Sequence, residues 1–322
     1  MPDREPPVAR ARSVHQVELP ASCFAAWDWH AHPSAFERLV PPFDPVKLVS
    51  SRGTILEGDS KVLALPPFGL RWVARHGRAV RGEVFVDRQE RGPFASFEHH
   101  HRFAPLNDES CRLSDEIDWR LPLEPASLRL AGWMVRSKLE RMFAWRHHVV
   151  VHDLLLARAL ALPALRVELV GAGPACAQVA ALVGTQGHHI EQAGEGRPTA
   201  TGLDARIRIE QARIVVEPLR GAAVVFASGA VVTRPRDLRR EGAWTLVEEL
   251  AAAALLAAAG RLSAGAHSLV RRERLDKGSD EALRPLVVDG IELPLRWRSV
   301  ADLRDRLRGR TRAQARHEPM PA

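Results

Sequence analysis

Six histidines lie between residues 30 and 101, and the last three are consecutive where a strand is predicted: His30, His32, His76, His99, His100 and His101. Residues 99 and 101 of a strand share one face, as metal ligands or an acid–base pair would require. No carboxylate or cysteine stands at ligand spacing beside them, and Glu98 and His100 share the opposite face. We therefore predict no metal site, and interpret His99 and His101 as polar lining of a cavity or as proton-transfer groups.

A second group of histidines lies in a predicted long helix. His148 and His152 are four residues apart, which is the spacing of a zinc-binding helix. The glutamate of that motif is absent, because the three residues between them are all valine. We therefore interpret His147, His148 and His152 as core or surface residues of the helix.

A glycine turn follows a predicted strand at residues 165–170 and precedes a predicted helix, and a second strand at 188–192 completes a βαβ unit. A dinucleotide-binding turn uses three glycines, and here Gly171 and Gly173 are present but Cys176 takes the third place. Glu191 or Glu195 would meet the ribose, and Arg197 a 2′-phosphate. Two interpretations stay open: a weak NADP(H) site that also uses Ser228 and Gly229, or a scaffold without cofactor.

Two element patterns position these residues. From Lys47 to Arg120, short stretches alternate apolar and polar residues between turn signals, which predicts an antiparallel sheet. From Pro125 to Leu162 the apolar residues recur at helical period, which predicts one long helix. Aromatic residues are concentrated in the same region: Phe68, Trp72, Phe85, Phe94, Phe97, Phe103, Trp119, Trp133, Phe143 and Trp145.

Bulk properties limit the class of protein. The 322 residues suffice for two domains, and three widely spaced cysteines fit neither a disulfide framework nor a cysteine metal site. No secretory signal and no apolar stretch of about 18 residues is visible, so we expect a cytoplasmic location. Of the net charge of +7, a surplus of six lies between Arg296 and His317, where eight arginines face two aspartates. A weak contact of this segment with an anionic membrane or a partner stays open, and specific nucleic-acid binding is not expected.

The region from Val40 to Phe103 carries four motifs in a recognisable order. They are P-P-F at residue 41, P-F-G-L-R-W-V at 67, D-R-Q-E-R-G-P-F at 87 and F-E-H-H-H-R-F at 97. This order resembles the START-like ligand-binding domains, the SRPBCC superfamily of polyketide cyclases and coenzyme-Q-binding proteins. It is most similar to the subset fused to an epimerase-like domain, whose characteristic helix resembles the segment from Arg236 to Leu250.

The resemblance implies a fold class and a division of the chain. It implies an α+β helix-grip domain followed by an α/β Rossmann-like domain. We place a disordered N-terminus at 1–12, the START-like domain at 13–162, the Rossmann-like domain at 163–295 and a basic helix and tail at 296–322.

The resemblance also implies where a ligand would bind. Helix-grip domains hold apolar ligands between the sheet and the long helix. We therefore assign the ligand cavity to inward-facing aromatic and histidine residues, namely Trp72, His76, Phe85, Phe94, Phe97, His99, His101, Trp119 and Trp133. In the cyclase branch, His76, Asp87, His99, His101 or Asp115 would act as acid or base if they face inward. No residue is assigned a catalytic role from the sequence alone.

The second half lacks the chemistry of the family that it resembles. Short-chain dehydrogenases and their epimerase relatives donate a proton from a tyrosine paired with a lysine. The chain contains no tyrosine, and Lys277 is the only lysine of its second half. We therefore expect a catalytically lost second domain and, in the first, binding or carriage of a lipid, quinone or polyketide-like molecule. The alternatives are a cyclase or dehydratase in the START-like cavity and an NADP-dependent oxidoreductase.

Overall fold

The structure is a computed structural model that describes residues 11–193 except 42, 43, 45, 59, 66–68, 124 and 125. Beyond residue 193 it describes 202–209, 213–218, 223–227, 251, 252, 254, 255, 257–260, 265–267, 287, 288, 291 and 292. The chain forms two compact units, one of Met1–Ala31 with Asp44–His147 and one of His32–Phe43 with His148–Ala322. The domain boundary near residue 162 stays a prediction.

The first unit is built on a seven-stranded antiparallel sheet in the order β1-β7-β6-β5-β4-β3-β2. Its strands are β1 (Ala11–Leu19), β2 (Lys47–Arg52), β3 (Ser60–Leu65), β4 (Leu70–Val80), β5 (Val84–Arg91), β6 (Ser96–Asn107) and β7 (Ser110–Arg120). Helix α1 (Cys23–Ala31) and a 3₁₀ turn, Ile55–Glu57, lie between strands. The antiparallel sheet predicted from alternation is confirmed.

Alternation fixes which face of this sheet is inside. Along β7 every second residue from Cys111 to Trp119 is buried, and Phe97, His99 and Phe103 are buried on the neighbouring strand β6. Because side chains of a strand alternate between faces, these residues form one inner face. The β4–β5 turn falls at 81–83, where Gly82 has a φ of 78°.

The long helix α3 (Ala126–Leu160) covers the inner face over its first part. Its Leu139 and Phe143 join Phe97, Ile117 and Trp119 of the sheet, together with Ala11, in one hydrophobic cluster. The long helix predicted after the antiparallel sheet is therefore confirmed. A curved antiparallel sheet packed against one long helix is the helix-grip arrangement that the resemblance implies. The division between the two compact units falls within this helix, after His147.

The second unit contains a mixed six-stranded sheet in the order β13-β12-β11-β10-β8-β9. Strands β8 (Arg166–Val170) and β9 (His189–Ala193) pair in parallel and are joined by α4 (Pro174–Thr185), which gives the predicted βαβ unit. The others are β10 (Ala205–Ile209), β11 (Arg213–Pro218), β12 (Val224–Ala227) and β13 (Gly265–His267). Strand β11 is antiparallel to both of its neighbours.

Shorter elements complete the second unit. Helix α2 (Ala35–Leu39) belongs to it, and β14 (Val287–Val288) pairs in antiparallel orientation with β15 (Ile291–Glu292). Residues 251–258 are helical where they are described, and buried there. Three predicted segments lie outside the described residues: the epimerase-like segment up to Leu250, the basic segment 296–322 and residues 1–10 of the N-terminus that was predicted to be disordered over 1–12. Ala11 and Arg12 of that N-terminus lie in β1. No helix in the described ranges is both long and apolar enough to cross a membrane.

Candidate functional site

The register of three adjacent strands brings four polar residues together on the inner face. Asp87 of β5 stands opposite His99 of β6, and His101 stands opposite Asp115 of β7. The intervening His100 points to the outer face, where its Nε2 donates to Glu98 Oε1 at 2.7 Å. Two consecutive histidines of β6 therefore have different environments, as the alternation predicts.

Each carboxylate lies between the two inner histidines. His99 donates from Nε2 to Asp115 Oδ1 at 2.9 Å, and its Nδ1 is 3.2 Å from Asp87 Oδ2. His101 donates from Nε2 to the same Asp87 oxygen at 3.3 Å. Its Nδ1 is 2.7 Å from Asp115 Oδ1, but not in hydrogen-bond geometry. The imidazole rings are 3.8 Å apart between centroids.

Helix α3, which covers the inner face of the sheet, contributes a third histidine to this site. His147 Nε2 donates to Asp115 Oδ2 at 2.6 Å. One turn earlier, Phe143 stacks on His15 of β1 at 4.7 Å and meets His99 edge-on at 5.3 Å. We call Asp87, His99, His101, Asp115 and His147 the His/Asp cluster. His99, Asp115 and His147 are all buried, so the cluster is enclosed between sheet and helix.

Burial and charge act in opposite directions on the ionisable groups of the cluster. Burial alone would lower the pKa of His99, but Asp87 and Asp115 outweigh it and raise that pKa to about 9. Burial would likewise raise the pKa of both aspartates, and the facing histidines hold it well below the usual range. The cluster therefore keeps its carboxylates ionised and His99 protonated at neutral pH.

Neutral histidines lie next to this charged group. Burial lowers the pKa of His30 to about 4, and burial followed by the charge of His147 lowers that of His15 to about 4. His30 Nδ1 donates to the Ala26 carbonyl at 2.7 Å, so the Nε2 of the neutral ring carries a lone pair. The His30 ring is 6.2 Å from that of His101. In the part of the chain that the structure describes, His15 Nε2 has no hydrogen-bond partner.

A buried arginine adds positive charge near the cluster. Burial lowers the pKa of Arg146, against the opposing charges of Asp115, Asp87 and Asp44. Its guanidinium carbon lies 5.5 Å from the centre of the Phe143 ring. Its Nε has no hydrogen-bond partner among the described residues. No motif or spacing in the sequence indicates this residue.

The aromatic cavity candidates divide into two groups. Trp72, Phe94, Phe97 and Trp119 pack together, with Phe97 4.8 Å from Trp72 and Phe94 6.2 Å from Trp119. Phe85 instead stacks on His101 at 4.0 Å and lies 5.9 Å from His76. Trp133 belongs to neither group, and its side chain is 68% exposed. The structure thus places an aromatic surface next to the His/Asp cluster.

The sequence interpretation of this site missed the carboxylates as partners of the histidines. The sequence predicts no metal site because no carboxylate stands at ligand spacing beside His99 and His101, yet Asp87 and Asp115 reach His99 from neighbouring strands. Asp87, His99 and His101 each offer one ligand atom, and these atoms lie within 4.8 Å of one another. The sequence analysis assigned no role in the site to His15 or His30, and it interpreted His147 as a core or surface residue of the helix. Only strand register and helix position could have identified these contacts.

The glycine turn of the second unit has the expected local form. Gly171 has a φ of 149°, and a β-carbon there would come within 3.1 Å of the Ile209 carbonyl oxygen. Gly173 has a φ of 89° and precedes the first turn of α4. The turn therefore requires glycine at both places. Ser228 and Gly229 lie outside the described residues.

Comparison with known proteins shows what much of the first unit is similar to. Residues 17–147 match the family described as polyketide cyclase/dehydrase and lipid transport. No curated protein matches the chain in sequence.

Three solved structures illustrate the likeness. A nucleoside-diphosphate sugar epimerase from Corynebacterium glutamicum is 25% identical over 62% of this chain, with a TM-score of 0.51, and the match spans only 45% of that protein. The Zhui aromatase/cyclase from Streptomyces sp. R1128 is 17% identical over 45% of this chain and 94% of its own, with a TM-score of 0.37. A START superfamily protein from Mycobacterium smegmatis is 14% identical over 44% and 97%, with a TM-score of 0.33. Residues 17–147 of the first unit are thus similar to the polyketide cyclase/dehydrase and lipid transport family.

Proposed function

We propose that the START-like domain binds a small, predominantly apolar molecule against the inner face of its sheet, with a polar group of that molecule at the His/Asp cluster. The observation that carries this proposal is the junction at Phe85, whose ring stacks on His101 at 4.0 Å. Apolar contact would supply about 25 cal/mol for each Å² buried, and the few polar groups would fix the orientation. The family description, which covers polyketide cyclases and lipid transport, supports a lipid or polyketide-like ligand.

Mass spectrometry of molecules that co-purify with the full-length protein tests this proposal. Organic extracts of the native protein should contain an apolar compound, and His101→Ala should lose most of it. His100→Ala is the matched control, because that residue lies on the outer face with Glu98. An absent compound, or equal retention by both variants, would contradict the proposal.

A second candidate function is catalysis at the same place, as a cyclase or dehydratase. The observation that favours it is an imidazole held between two carboxylates, since such groups donate and accept protons in general acid–base catalysis. A dehydratase would convert the co-purified compound, when it is returned to the protein, into a product lighter by one water. His99→Ala and Asp115→Asn should abolish that conversion, while His100→Ala should leave it intact. Unchanged turnover in both cluster variants would exclude catalysis by this cluster.

For the second domain we propose a Rossmann-like scaffold without dehydrogenase chemistry. The absence of tyrosine from all 322 residues supports this, because the proton donor of the epimerase-like enzymes is missing. NADPH at millimolar concentration should not change the tryptophan fluorescence of the full-length protein. A response that Gly173→Asp removes would contradict this proposal and favour a nucleotide site at the glycine turn.

A further inference from the structure

One oxygen of the His/Asp cluster faces two imidazole nitrogens at nearly equal distances. Asp87 Oδ2 is 3.2 Å from His99 Nδ1 and 3.3 Å from His101 Nε2. Ligand atoms that surround Zn²⁺ tetrahedrally at about 2.0–2.2 Å are about 3.3–3.6 Å apart. We infer that Asp87, His99 and His101 bind a divalent first-row transition metal. This inference goes beyond small-molecule binding and does not depend on it.

A second carboxylate supports the histidines from the other side. His99 uses Nδ1 toward Asp87 and donates from Nε2 to Asp115 Oδ1 at 2.9 Å. Histidine ligands commonly donate their second N–H to a carboxylate, which fixes the tautomer and the ring orientation. Asp115 is itself held by His147, at 2.6 Å. The cluster thus contains both the ligands and the groups that orient them.

The charge balance of the site also favours a cation. Asp115 is 2% exposed and Asp87 is partly buried, and ionised carboxylates in such surroundings are costly unless paired. Imidazole nitrogens of His99, His101 and His147 face these carboxylates at 2.6 to 3.3 Å. A bound dication would be the largest charge in the site and would satisfy both aspartates at once.

The composition of the site indicates the kind of metal and its use. Two histidines and one carboxylate suit Zn²⁺ or Fe²⁺ better than Ca²⁺ or Mg²⁺, which prefer oxygen ligands. Three protein ligands leave a coordination position open, as in catalytic rather than structural zinc sites. An oxygen atom of a bound small molecule fits that position. His99 and His101 would then supply lone pairs, and proton transfer would fall to Asp115 and His147.

Metal titration of the full-length protein tests the inference without any organic ligand. The protein is treated with EDTA, desalted and titrated with Zn²⁺ against a chromogenic chelator, and the visible spectrum of a Co²⁺ titration reports the coordination. We expect one tight equivalent. Asp115→Asn should weaken binding about 10- to 100-fold, as for other residues that orient ligands. Asp87→Asn and His101→Gln, which remove ligands, should weaken it further.

Controls separate the site from other histidines of the chain. His100→Ala removes an imidazole from the same strand but from the outer face, so it should bind metal as the parent does. Circular dichroism of each variant shows whether the fold is retained. The inference is overturned if the parent binds no tight equivalent, or if folded Asp87→Asn binds as the parent does, which would indicate adventitious binding elsewhere. Either result leaves the co-purification test of small-molecule binding unaffected.

Discussion

The protein buries carboxylates in both of its compact units, but it neutralises them with different cations. In the second unit, Arg38 donates from Nε and NH2 to the two oxygens of Asp153, at 2.9 and 2.6 Å, and both side chains are fully buried. In the first unit, Asp87 and Asp115 face histidines. Arginine stays protonated at any ordinary pH, whereas histidine can lose its proton or bind a metal. The arginine pair is therefore structural, and the His/Asp cluster is able to change its state.

Asp153, the buried carboxylate of the second unit, is held by Arg38 and by further hydrogen bonds. Burial alone would raise the pKa of Asp153, but Arg38 and His152 hold it below the usual range. Thr185 Oγ1 donates to the same carboxylate at 3.3 Å, and Gln186 donates to the backbone carbonyl of Asp153 at 3.1 Å. A carboxylate with this set of partners has no remaining role in proton transfer. Comparison of the two regions thus identifies the one that can do chemistry.

The largest effect should come from breaking the arginine pair. Arg38→Met leaves Asp153 buried without its cation, and loss of one partner of a buried pair typically costs about 3–5 kcal/mol. Unfolding in urea measures this loss. The double variant Arg38→Met/Asp153→Leu removes both charges and should recover most of the stability. A double variant as unstable as the single one would show that the pair has a role beyond charge balance.

The neutral histidines should make the first unit sensitive to acid. His30 has a pKa of about 4 in the folded protein, below the ordinary 6.5, so its contribution is complete above pH 6.5 and is lost as pH falls toward 4. The corresponding loss is about 3 kcal/mol. His30→Gln keeps an N–H donor for the Ala26 carbonyl but cannot be protonated.

Urea unfolding of parent and variant between pH 7 and 4 measures that difference. The variant should lose less stability than the parent over this interval. The groups that also act on His30 are His101, Asp115 and His147, and they are present in both proteins. Parallel pH profiles would show that His30 does not titrate as its burial requires.

An exposed ion pair on the outer face of the sheet should contribute much less to stability. Glu98 accepts from His100 and pairs with Arg88 at 3.0 Å on the outer face, where the Arg88 side chain is 62% exposed. Exposed ion pairs contribute about 0–1 kcal/mol, so Glu98→Gln should change stability by no more than that. The urea midpoint of this variant is the measurement. A loss of several kcal/mol would mean that position on the strand, and not burial, sets the strength of these pairs.

The smallest effect is expected at the exposed aromatic candidate. Trp133→Ala removes a side chain that is 68% exposed, and such surface substitutions usually change stability by no more than about 0.5 kcal/mol. Thermal unfolding of the variant checks this value. If Trp133 lines the ligand site, the same variant should retain less of the co-purified molecule while its stability stays unchanged.

The sequence predicted the first unit better than the site within it. Alternation and helical period depend on neighbouring residues, so the antiparallel sheet and the long helix could be read directly. Contacts of His99 with Asp87 and Asp115 depend on strand register, which a single sequence does not specify. The proximity of Cys23 to Cys111 could not be predicted either, because the two residues are far apart in the chain. Burial and then the nearby Cys23 raise the pKa of the Cys111 thiol to about 12.

In the second unit the βαβ segment was predictable because its glycine turn and apolar strand are local signals. The pairing order of the other strands was not, since β11 runs antiparallel between β10 and β12. The Arg38–Asp153 pair joins residues 115 positions apart, and nothing in either neighbourhood indicates it. Local periodicity therefore predicts elements, whereas buried charge pairs require the three-dimensional arrangement.

The irregularity near the end of β6 has a consequence for how this protein can evolve. Pro105 pairs with Cys111 and Asn107 with Ser110, so Leu106 is an extra residue that the ladder takes up as a bulge. It lies between the hairpin turn and the His/Asp cluster. The bulge can accommodate a one-residue insertion in the turn. A one-residue insertion between His101 and the bulge would instead shift the strand register by one and turn His100 and Glu98 to the inner face. Related proteins can therefore vary the length of this hairpin tip while inheriting the same inner face.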